Sequence, residues 1–459
     1  MVALPRLVVA AAASSAGKTT IATGLMGALA AAGHEVAGFK VGPDFIDPGY
    51  HGLATGRPGR NLDPVLSGPE LVPGLLVHGA SWPTPADVAV VEGVMGLFDG
   101  RLGQDGYGST AHVARLLDAP VVLVVDAAGS SRTAAAAALG LREFDASIRI
   151  AGAIVNRVAS TRHAAELEAV LRRGGLDVLG VVPRSAAIEA PSRHLGLVPA
   201  PERPESAGTI AALAEHIAGH VDLEAVLRVA GSATELVAEP WDPAKVVHRV
   251  SGRPQVGVLA GRAFTFRYAE TTELLQAAGC DLVEIDPLVD FELPSALAGL
   301  YLGGGFPEVH AAELSANSGL RTQLREAVAA GLPTVAECAG QLYLAKELDG
   351  HPMVGALPAV AGMTGRLTLG YRSATALNDT LLAEAGSVIS GHEFHRTQTF
   401  PGAGETSAWG WAERAEGFSL DPAATGEPTL HSSYLHLFWA GAPQCAQRFA
   451  EASARYAER

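Results

Sequence analysis

Residues 11–20 read AAASSAGKTT, with the apolar run RLVVAAA (6–12) before them and IATGLMGALAAAG (21–33) after. A buried strand, a loop of small residues and a helix-forming run in that order make a strand–loop–helix unit. Its loop amides gather at the positive end of a helix dipole, where anions bind. The phosphate-loop pattern G-x-x-x-x-G-K-[ST] is met at Gly17, Lys18 and Thr19, but Ala12 stands where the first glycine belongs. We expect Ala16, Gly17, Lys18, Thr19 and Thr20 to wrap nucleotide phosphates. Lys18 supplies charge to the outer phosphates, and the Thr19 hydroxyl is the expected Mg²⁺ ligand. A bare Ser-rich helix cap explains the serines but not the lysine at the first helical turn. A secretory leader explains the small residues, but its cleavage would cut the loop away from its helix.

Working outward, the stretches HEVAGFK (34–40), ADVAVVEG (86–93), APVVLVVDA (119–127) and IRIAGAIVNR (148–157) are almost unbroken in apolar residues. That is the pattern of parallel strands covered on both faces. Helical segments at 17–32, 109–117, 131–142 and 161–174 separate several of them, so the first half reads as a doubly wound α/β domain. The text then turns to Pro, Ala and charge (VPAPERPESAG, VAEPWDPAK) around one expected helix at 207–229, and a new strand opens at PQVGVLA. The expected organisation is an ATP-binding domain over 1–200, a connecting segment over 201–250 and a second α/β domain over 251–459.

Bulk properties exclude several classes. With 48% hydrophobic and 18% charged residues, the chain can bury a core in each domain. Three cysteines, at 280, 338 and 445, are too few and too scattered for a disulfide framework or a thiolate metal site. A formal charge of −15 argues against non-specific nucleic-acid binding. No apolar stretch is long and clean enough to span a bilayer. The expectation is a cytoplasmic protein with no nucleic-acid or membrane partner.

Two loops at strand ends are rich in carboxylates: KVGPDFIDPGYH (40–51) carries Asp44 and Asp47, and EGVMGLFDG (92–100) carries Glu92 and Asp99. Ligands of open α/β sheets sit beyond the carboxyl ends of the strands. A Mg²⁺ held by nucleotide phosphate needs only one or two protein carboxylates. Glu92 directly ends its strand and is the first choice beside Thr19, with Asp47 or Asp44 second. Turn capping by aspartate is the competing reading for each residue alone.

The second half reads independently. In PTVAECAGQLYLAKEL (333–348) an apolar strand turns sharply through Glu337-Cys338-Ala339-Gly340 into a helix. Such an elbow exposes a nucleophile at a helix N-terminus, where a lowered thiol pKa is expected. Upstream, LAGLYLGGGFPE (297–308) ends a strand in Gly303, Gly304 and Gly305, whose amides can approach an oxyanion. A histidine must activate the thiol, and HSSYLHLFW (431–439) offers His436, with His431, His392 and His395 as competitors. Cys280 and Cys445 lack the strand–turn–helix setting.

SSAGKTT (14–20), KVGPDFIDPGYH, NLD (61–63) and EGVMGLFDG resemble the motifs of the cobyrinic acid a,c-diamide synthases, ATP-dependent glutamine-hydrolysing amidases of vitamin B12 biosynthesis. The likeness covers nearly the whole chain. It implies a dethiobiotin-synthetase-like first domain and a flavodoxin-like class I-type glutamine amidotransferase second domain. It also implies ATP and Mg²⁺ as cofactors, and glutamine and a corrinoid as substrates, amidated through an acyl phosphate with ammonia shielded from water in transit. The stretch S-Y-x-H of such domains is matched by Ser433-Tyr434-Leu435-His436. Triad enzymes place Glu two residues later, where Phe438 stands, so the resemblance implies a Cys338–His436 dyad. GHEFHRTQ (391–398) resembles a further segment of that domain, in which Glu393 is a candidate orienting group. Macrocycle contacts are expected from Asp44, Asp47, Tyr50, His51 and Asp99, and a homodimer stays open as the assembly. Cobyric acid synthases share both domains but carry different loops, while nickel-sirohydrochlorin a,c-diamide synthases are poorly separated by sequence. Partitioning ATPases share the phosphate loop but have no use for Cys338 and His436.

Overall fold

The computed structural model describes residues 1–185, 192–193, 196–199, 202 and 205–459. The chain divides into two compact units, Met1–Trp241 and Asp242–Arg459. The 200/201 boundary expected from the sequence lies outside the described residues.

In the first unit seven strands form one sheet: β1 Arg6–Ala11, β2 Val36–Val41, β3 Arg60–Leu62, β4 Val88–Glu92, β5 Val121–Asp126, β6 Ile150–Val158 and β7 Val178–Pro183. Their order is β3-β2-β4-β1-β5-β6-β7 and every pairing is parallel. The near-continuous apolar runs account for this, since β1 and β2 are buried at all six positions. Helix α1 (Lys18–Ala31) starts beyond the carboxyl end of the central strand, and α2 (Asp47–Thr55) starts beyond β2. The expected helices at 109–117, 131–142 and 161–174 appear as Thr110–Leu116, Arg132–Phe144 and Thr161–Arg173.

The single helix expected over 207–229 is instead two, Ser206–Ala218 and Leu223–Gly231, with the Asp222 carboxylate capping the second at the Ala225 amide. These helices belong to the first unit rather than to a connector. Gly24 and Gly27 of α1 make room for the first of them: a side chain at Gly24 would come within 2.4 Å of Ile217 Cγ1, and one at Gly27 within 3.0 Å of Ala214 Cβ. A composition rich in Pro and charge around 200 and 240 hid that apolar face.

In the second unit six strands run in the order Asp281–Ile285, Gln255–Leu259, Leu297–Leu302, Thr334–Glu337, Leu430–Ser433 and Phe418–Leu420. All pairings are parallel except the last. A second, largely antiparallel sheet is built on the long hairpin Val360–Ala376 and Val388–Phe400, and His436–Leu437 pairs with its second strand. Residues 434–435 therefore cross from one sheet to the other, which fixes the direction in which His436 leaves the core.

Arg6 is a buried charge that ties β1 in place. It is fully buried, and its guanidinium donates to the carbonyls of Leu117 (2.6 Å), Leu4 (2.9 Å), Thr234 (2.8 Å) and Asp118 (3.3 Å). Removing it strands several buried acceptors. Arg6→Ala should lower the unfolding free energy by about 3 kcal/mol or more, read as a fall in the denaturant midpoint. A loss below about 1 kcal/mol would mean that water replaces the guanidinium at no net cost.

Candidate active sites

In the first unit the loop between β1 and α1 is held by the next-to-edge strand. Gly17 adopts φ 91°, and a Cβ there would lie 2.2 Å from Asn156 Nδ2, which donates to the Ala16 carbonyl at 3.1 Å. Only glycine fits that position. Arg157 donates to the Ser15 carbonyl at 2.9 Å and pairs with Asp126. The EGVMGLFDG loop is stitched to the same place, the Leu97 amide donating to the Ala11 carbonyl at 2.8 Å.

The ionisable residues form a buried cluster. Register sets Lys40 of β2 opposite Glu92 of β4. Lys40 Nζ lies 2.7 Å from Asp47 Oδ2 and 2.8 Å from Glu92 Oε1, and donates to the Gly93 carbonyl at 3.1 Å. Thr19 Oγ1 lies 2.6 Å from Glu92 Oε1 and 3.3 Å from Asp47 Oδ2. His51 Nε2 meets the other Glu92 oxygen at 2.7 Å. Burial alone would raise the Glu92 carboxyl, but Lys40 and His51 outweigh it and hold the group well below the usual range. Burial would likewise lower Lys40, yet Asp47 and Glu92 hold its pKa above the ordinary lysine value. Asp47 is pushed up by burial and then by Asp44 and Glu92, because one ammonium serves two carboxylates. Lys18 is pushed down to about 8, chiefly by burial and then by Lys40, and its ammonium caps the carbonyls of Ala13 (3.0 Å) and Met95 (2.5 Å).

A cleft of about 750 Å³ opens over this cluster, with Lys18, Thr19, Thr20, Asp44, Asp47, Tyr50 and Glu92 in its wall. Of the macrocycle contacts expected from sequence, the structure corrects one. His51 is fully buried and bonded to Glu92, so it orients that carboxylate instead of facing a ligand. Tyr50 lines the cleft but its hydroxyl donates to the Val198 carbonyl at 2.5 Å. Asp99 is exposed, and its carboxylate accepts the Gly96 amide at 3.0 Å. Asp44 closes a turn by accepting the amides of Ile46 (2.7 Å) and Asp47 (2.9 Å). Lys40 was missed although it opens the KVGPDFIDPGYH stretch, because at the end of an apolar strand nothing in the sequence shows the carboxylates it serves.

Among the described residues no group of three or more His, Cys, Asp and Glu forms a protein-only metal cage. The Thr19, Asp47 and Glu92 oxygens nonetheless converge, and this hard-oxygen set fits a Mg²⁺ that takes its other positions from phosphate and water.

In the second unit Cys338 sits at the elbow with φ 48° and ψ −98°, a strained conformation for a residue with a side chain. Its amide donates to the Ser433 carbonyl at 2.8 Å, so the elbow rests on the neighbouring strand that leads to His436. The Gly303–Gly305 turn touches both partners. The Gly340 amide donates to the Gly303 carbonyl at 3.0 Å, and a Cβ on Gly304 would lie 2.5 Å from His436 Cε1. Gly304 therefore serves to admit the imidazole. Its own amide donates to the Phe266 carbonyl at 3.1 Å, so the expected use of that amide for an oxyanion is corrected. The Ala339 amide, by contrast, acts on the Cys338 thiol to lower its pKa, against the larger effect of burial.

The expected low thiol pKa is also corrected. Burial, then Glu308, pushes Cys338 well above the ordinary thiol value, with Glu337 and Glu393 adding to it. The helix behind it, Ala339–Leu344, spans only six residues and supplies little dipole. Burial, then His392 and His395, holds the His436 imidazole well below 6.5, and its ring stacks on His392 at 5.0 Å. The resting pair is a neutral thiol and a neutral imidazole. Glu393 is fully buried and bound by Arg372 Nε at 2.6 Å, with His395 Nε2 at 3.5 Å. Glu337 was not anticipated: its Oε2 lies 4.0 Å from His436 Nδ1 and accepts the Tyr301 hydroxyl at 3.1 Å. The only signal was a polar residue ending an apolar strand.

Residues 7–198 match the CobQ/CobB/MinD/ParA nucleotide binding domain, and residues 255–444 the CobB/CobQ-like glutamine amidotransferase domain. The hydrogenobyrinate a,c-diamide synthase of Thermobifida fusca is 58% identical over 98% of this chain and 97% of its own. The Streptomyces coelicolor protein of that name is 51% identical over 98% and 97%. A cobyrinate a,c-diamide synthase of a Synechococcus species is 40% identical over 97% and 98%. The two α/β domains expected from the sequence thus have the matching family assignments.

Burial raises the Glu337 carboxyl to about 8. Below the unfolded value of about 4.5 both states hold the proton, and the group does not alter stability. Above it the unfolded chain ionises while the folded one does not, so this group weakens the fold by about 1.4 kcal/mol per pH unit until its folded pKa is passed. Glu337→Gln should therefore flatten the decline of stability between about pH 5 and 8 relative to the parent. Parallel stability–pH curves for the two proteins would show that the carboxyl is already ionised in the fold.

Proposed function

The chain belongs to the cobyrinic acid a,c-diamide synthase family, and from that premise we propose that it amidates the a and c carboxylates of hydrogenobyrinic acid, with glutamine as nitrogen donor and ATP as activator. Nothing in composition or spacing names a tetrapyrrole. The observation that carries the reading is the presence in one chain of a phosphate loop over the Lys40–Asp47–Glu92 cluster and of a cysteine elbow that shares the Gly303–Gly305 turn with His436. The metal-free corrinoid is preferred because the 58% and 51% identical relatives bear that name, while cobyrinate appears at 40%.

In the second unit Cys338 attacks the side-chain amide of glutamine as its proton passes to His436. The tetrahedral adduct collapses to a glutamyl thioester as His436 returns the proton to the nitrogen and ammonia leaves; water later hydrolyses the thioester to glutamate. In the first unit a substrate carboxylate oxygen attacks the γ-phosphorus of ATP and ADP leaves. Ammonia then attacks the acyl carbon and phosphate departs, a far better leaving group than oxide. The amides around Gly17 and the Lys18 ammonium bind the phosphates. Thr19, Glu92 and Asp47 are the residues that would hold Mg²⁺, which when bound neutralises charge on the transferring phosphoryl group. Lys40 keeps the two carboxylates compensated and oriented. Asp44 and Tyr50 line the same cleft, which supports them as contacts for the macrocycle. ATP and glutamine are cytoplasmic pools, which sets the reaction there.

The two half-reactions should separate. Cys338→Ser should abolish glutamine-driven amidation and keep amidation driven by ammonium salt at high pH. Lys18→Ala should lose both, yet leave Cys338 reactive toward a glutamine-like alkylating agent. Loss of ammonium-driven activity in folded Cys338→Ser would count against this division. Glu92→Gln should slow turnover 100-fold or so, with partial recovery at excess Mg²⁺, because a carboxylate facing both metal and Lys40 is lost. Product masses from hydrogenobyrinic acid, cobyrinic acid and nickel-sirohydrochlorin, each with ATP, Mg²⁺ and glutamine, test the substrate assignment directly. A doubly amidated product from the nickel compound alone would overturn it.

A further inference from the structure

His436 is buried, so an imidazole that takes the thiol proton there becomes a cation out of water and needs a counter-charge. Its surroundings supply few. Phe438, two residues on, offers no acceptor, and its ring packs against Tyr268 at 4.8 Å. His392 and His395 only push the imidazole pKa lower. Glu393 favours the imidazolium, but its carboxylate is already shared by Arg372 at 2.6 Å and His395 at 3.5 Å.

The carboxyl facing the ring is Glu337, whose Oε2 lies 4.0 Å from His436 Nδ1. It is held from the strands on both sides. Tyr301 of Leu297–Leu302 donates to Oε2 at 3.1 Å, and Glu337 stands in register with Ser433 of the strand that leads to His436. The Tyr301 ring in turn meets Trp439 edge-on at 5.4 Å. Glu337 and Cys338 are consecutive, so the carboxyl beside the base is fixed to the backbone of the nucleophile itself. A buried carboxyl that weakens the fold above about pH 5 is not kept for stability, and such groups gather at functional sites.

Resting on the glutaminase reading, we propose that Glu337 is the positioning residue for His436: its Oε2 accepts the Nδ1 hydrogen, and as a carboxylate it balances the imidazolium that forms when glutamine is attacked. At 4.0 Å the contact is longer than a hydrogen bond at rest, and it shortens as the ring gains charge. With Nδ1 carrying the hydrogen, the Nε2 lone pair takes the thiol proton. The sulfur–carbon bond forms as the amide π pair moves to oxygen, and no proton passes to Glu337.

The test is the pH profile of glutamine hydrolysis, read as glutamate released by the full chain with ATP and hydrogenobyrinic acid present. Burial sets the Glu337 carboxyl at about 8, so parent kcat should rise through that pH as the carboxylate appears. The titratable groups packed against it are Tyr301, Cys338, Cys445 and His436. Burial holds the phenol and both thiols protonated and the imidazole neutral over this range. The amide of Glu337→Gln has the shape of the protonated acid. That variant should match the parent at about pH 6 and fall behind it roughly tenfold or more at about pH 9, with the glutamine KM held at both. Tyr301→Phe removes a bond that favours the carboxylate, so its rise should move to higher pH and reach the parent plateau. Denaturant midpoints report whether each variant is folded. Glu416, raised to about 7 by burial, accepts the Ser433 hydroxyl at 2.5 Å and the Tyr434 amide at 2.8 Å on the way to His436. It is intact in both variants, so a rise that it causes would survive in Glu337→Gln. A Glu337→Gln profile parallel to the parent, whether equal or lower by a constant factor, overturns the inference. A parent that releases no glutamate overturns the glutaminase reading instead.

Discussion

Lys40, Asp47, His51 and Glu92 are four ionisable side chains withdrawn from water at the carboxyl ends of β2 and β4, and none can remain there without the others. A lone buried carboxylate costs several kcal/mol, and removing one partner of a buried pair leaves that cost uncompensated. Glu92 has no exposure, so both its oxygens must be served, one by Lys40 and Thr19, the other by His51. This requirement dictates geometry. Lys40 has to stand opposite Glu92, which fixes the register of two parallel strands. Asp47 and His51 have to share a helix face, which their four-residue spacing in α2 achieves. Thr19 has to sit at the first turn of α1, which fixes the phosphate loop relative to the sheet. The cluster is thus a joint between three elements as well as a place for chemistry.

That joint explains the missing glycine of the opening motif. A phosphate loop needs glycine where φ is positive or where another group presses on Cα. Gly17 meets both conditions, at φ 91° and against Asn156. Ala12 meets neither: it is exposed and its backbone is not in the left-handed region. Ser15 takes the second positive φ of the loop at 62°, held by Arg157 at its carbonyl. Alanine at position 12 is therefore no sign of decay in the loop.

The sheet, the loop and the cysteine elbow were legible because each rests on local pattern: apolar runs, a glycine-lysine-threonine step, a polar residue and a cysteine between strand and helix. What was not legible depends on partners distant in sequence. Lys40 reads as a strand end until β4 is placed beside it. Gly24 and Gly27 read as helix weaknesses until the helix at Ser206–Ala218 fills the groove they leave. His51 reads as a ligand-facing residue of a conspicuous motif, and only the fold shows it turned inward to Glu92. The thiol was misjudged for the same reason. A helix start is visible in sequence, whereas burial and the carboxylates of Glu308, Glu337 and Glu393 are not.

The two sites solve opposite electrostatic problems. The first unit holds compensated ions ready for a polyanion, and charge entering it meets fixed counter-charge. Around Cys338 burial drives four groups toward neutrality, raising the thiol and Glu337 and lowering His436 and His392, the last to about 3, while Glu393 stays ionised against Arg372. Such a pocket disfavours any uncompensated cation, including ammonium. On the proposed reaction the proton lost by Cys338 passes to the imidazole and leaves it again for the nitrogen of the tetrahedral adduct as that nitrogen departs. A thiolate preformed by a strong helix dipole would be more reactive toward any electrophile. A neutral pair that ionises only as the amide is attacked keeps the sulfur quiet until glutamine is seated.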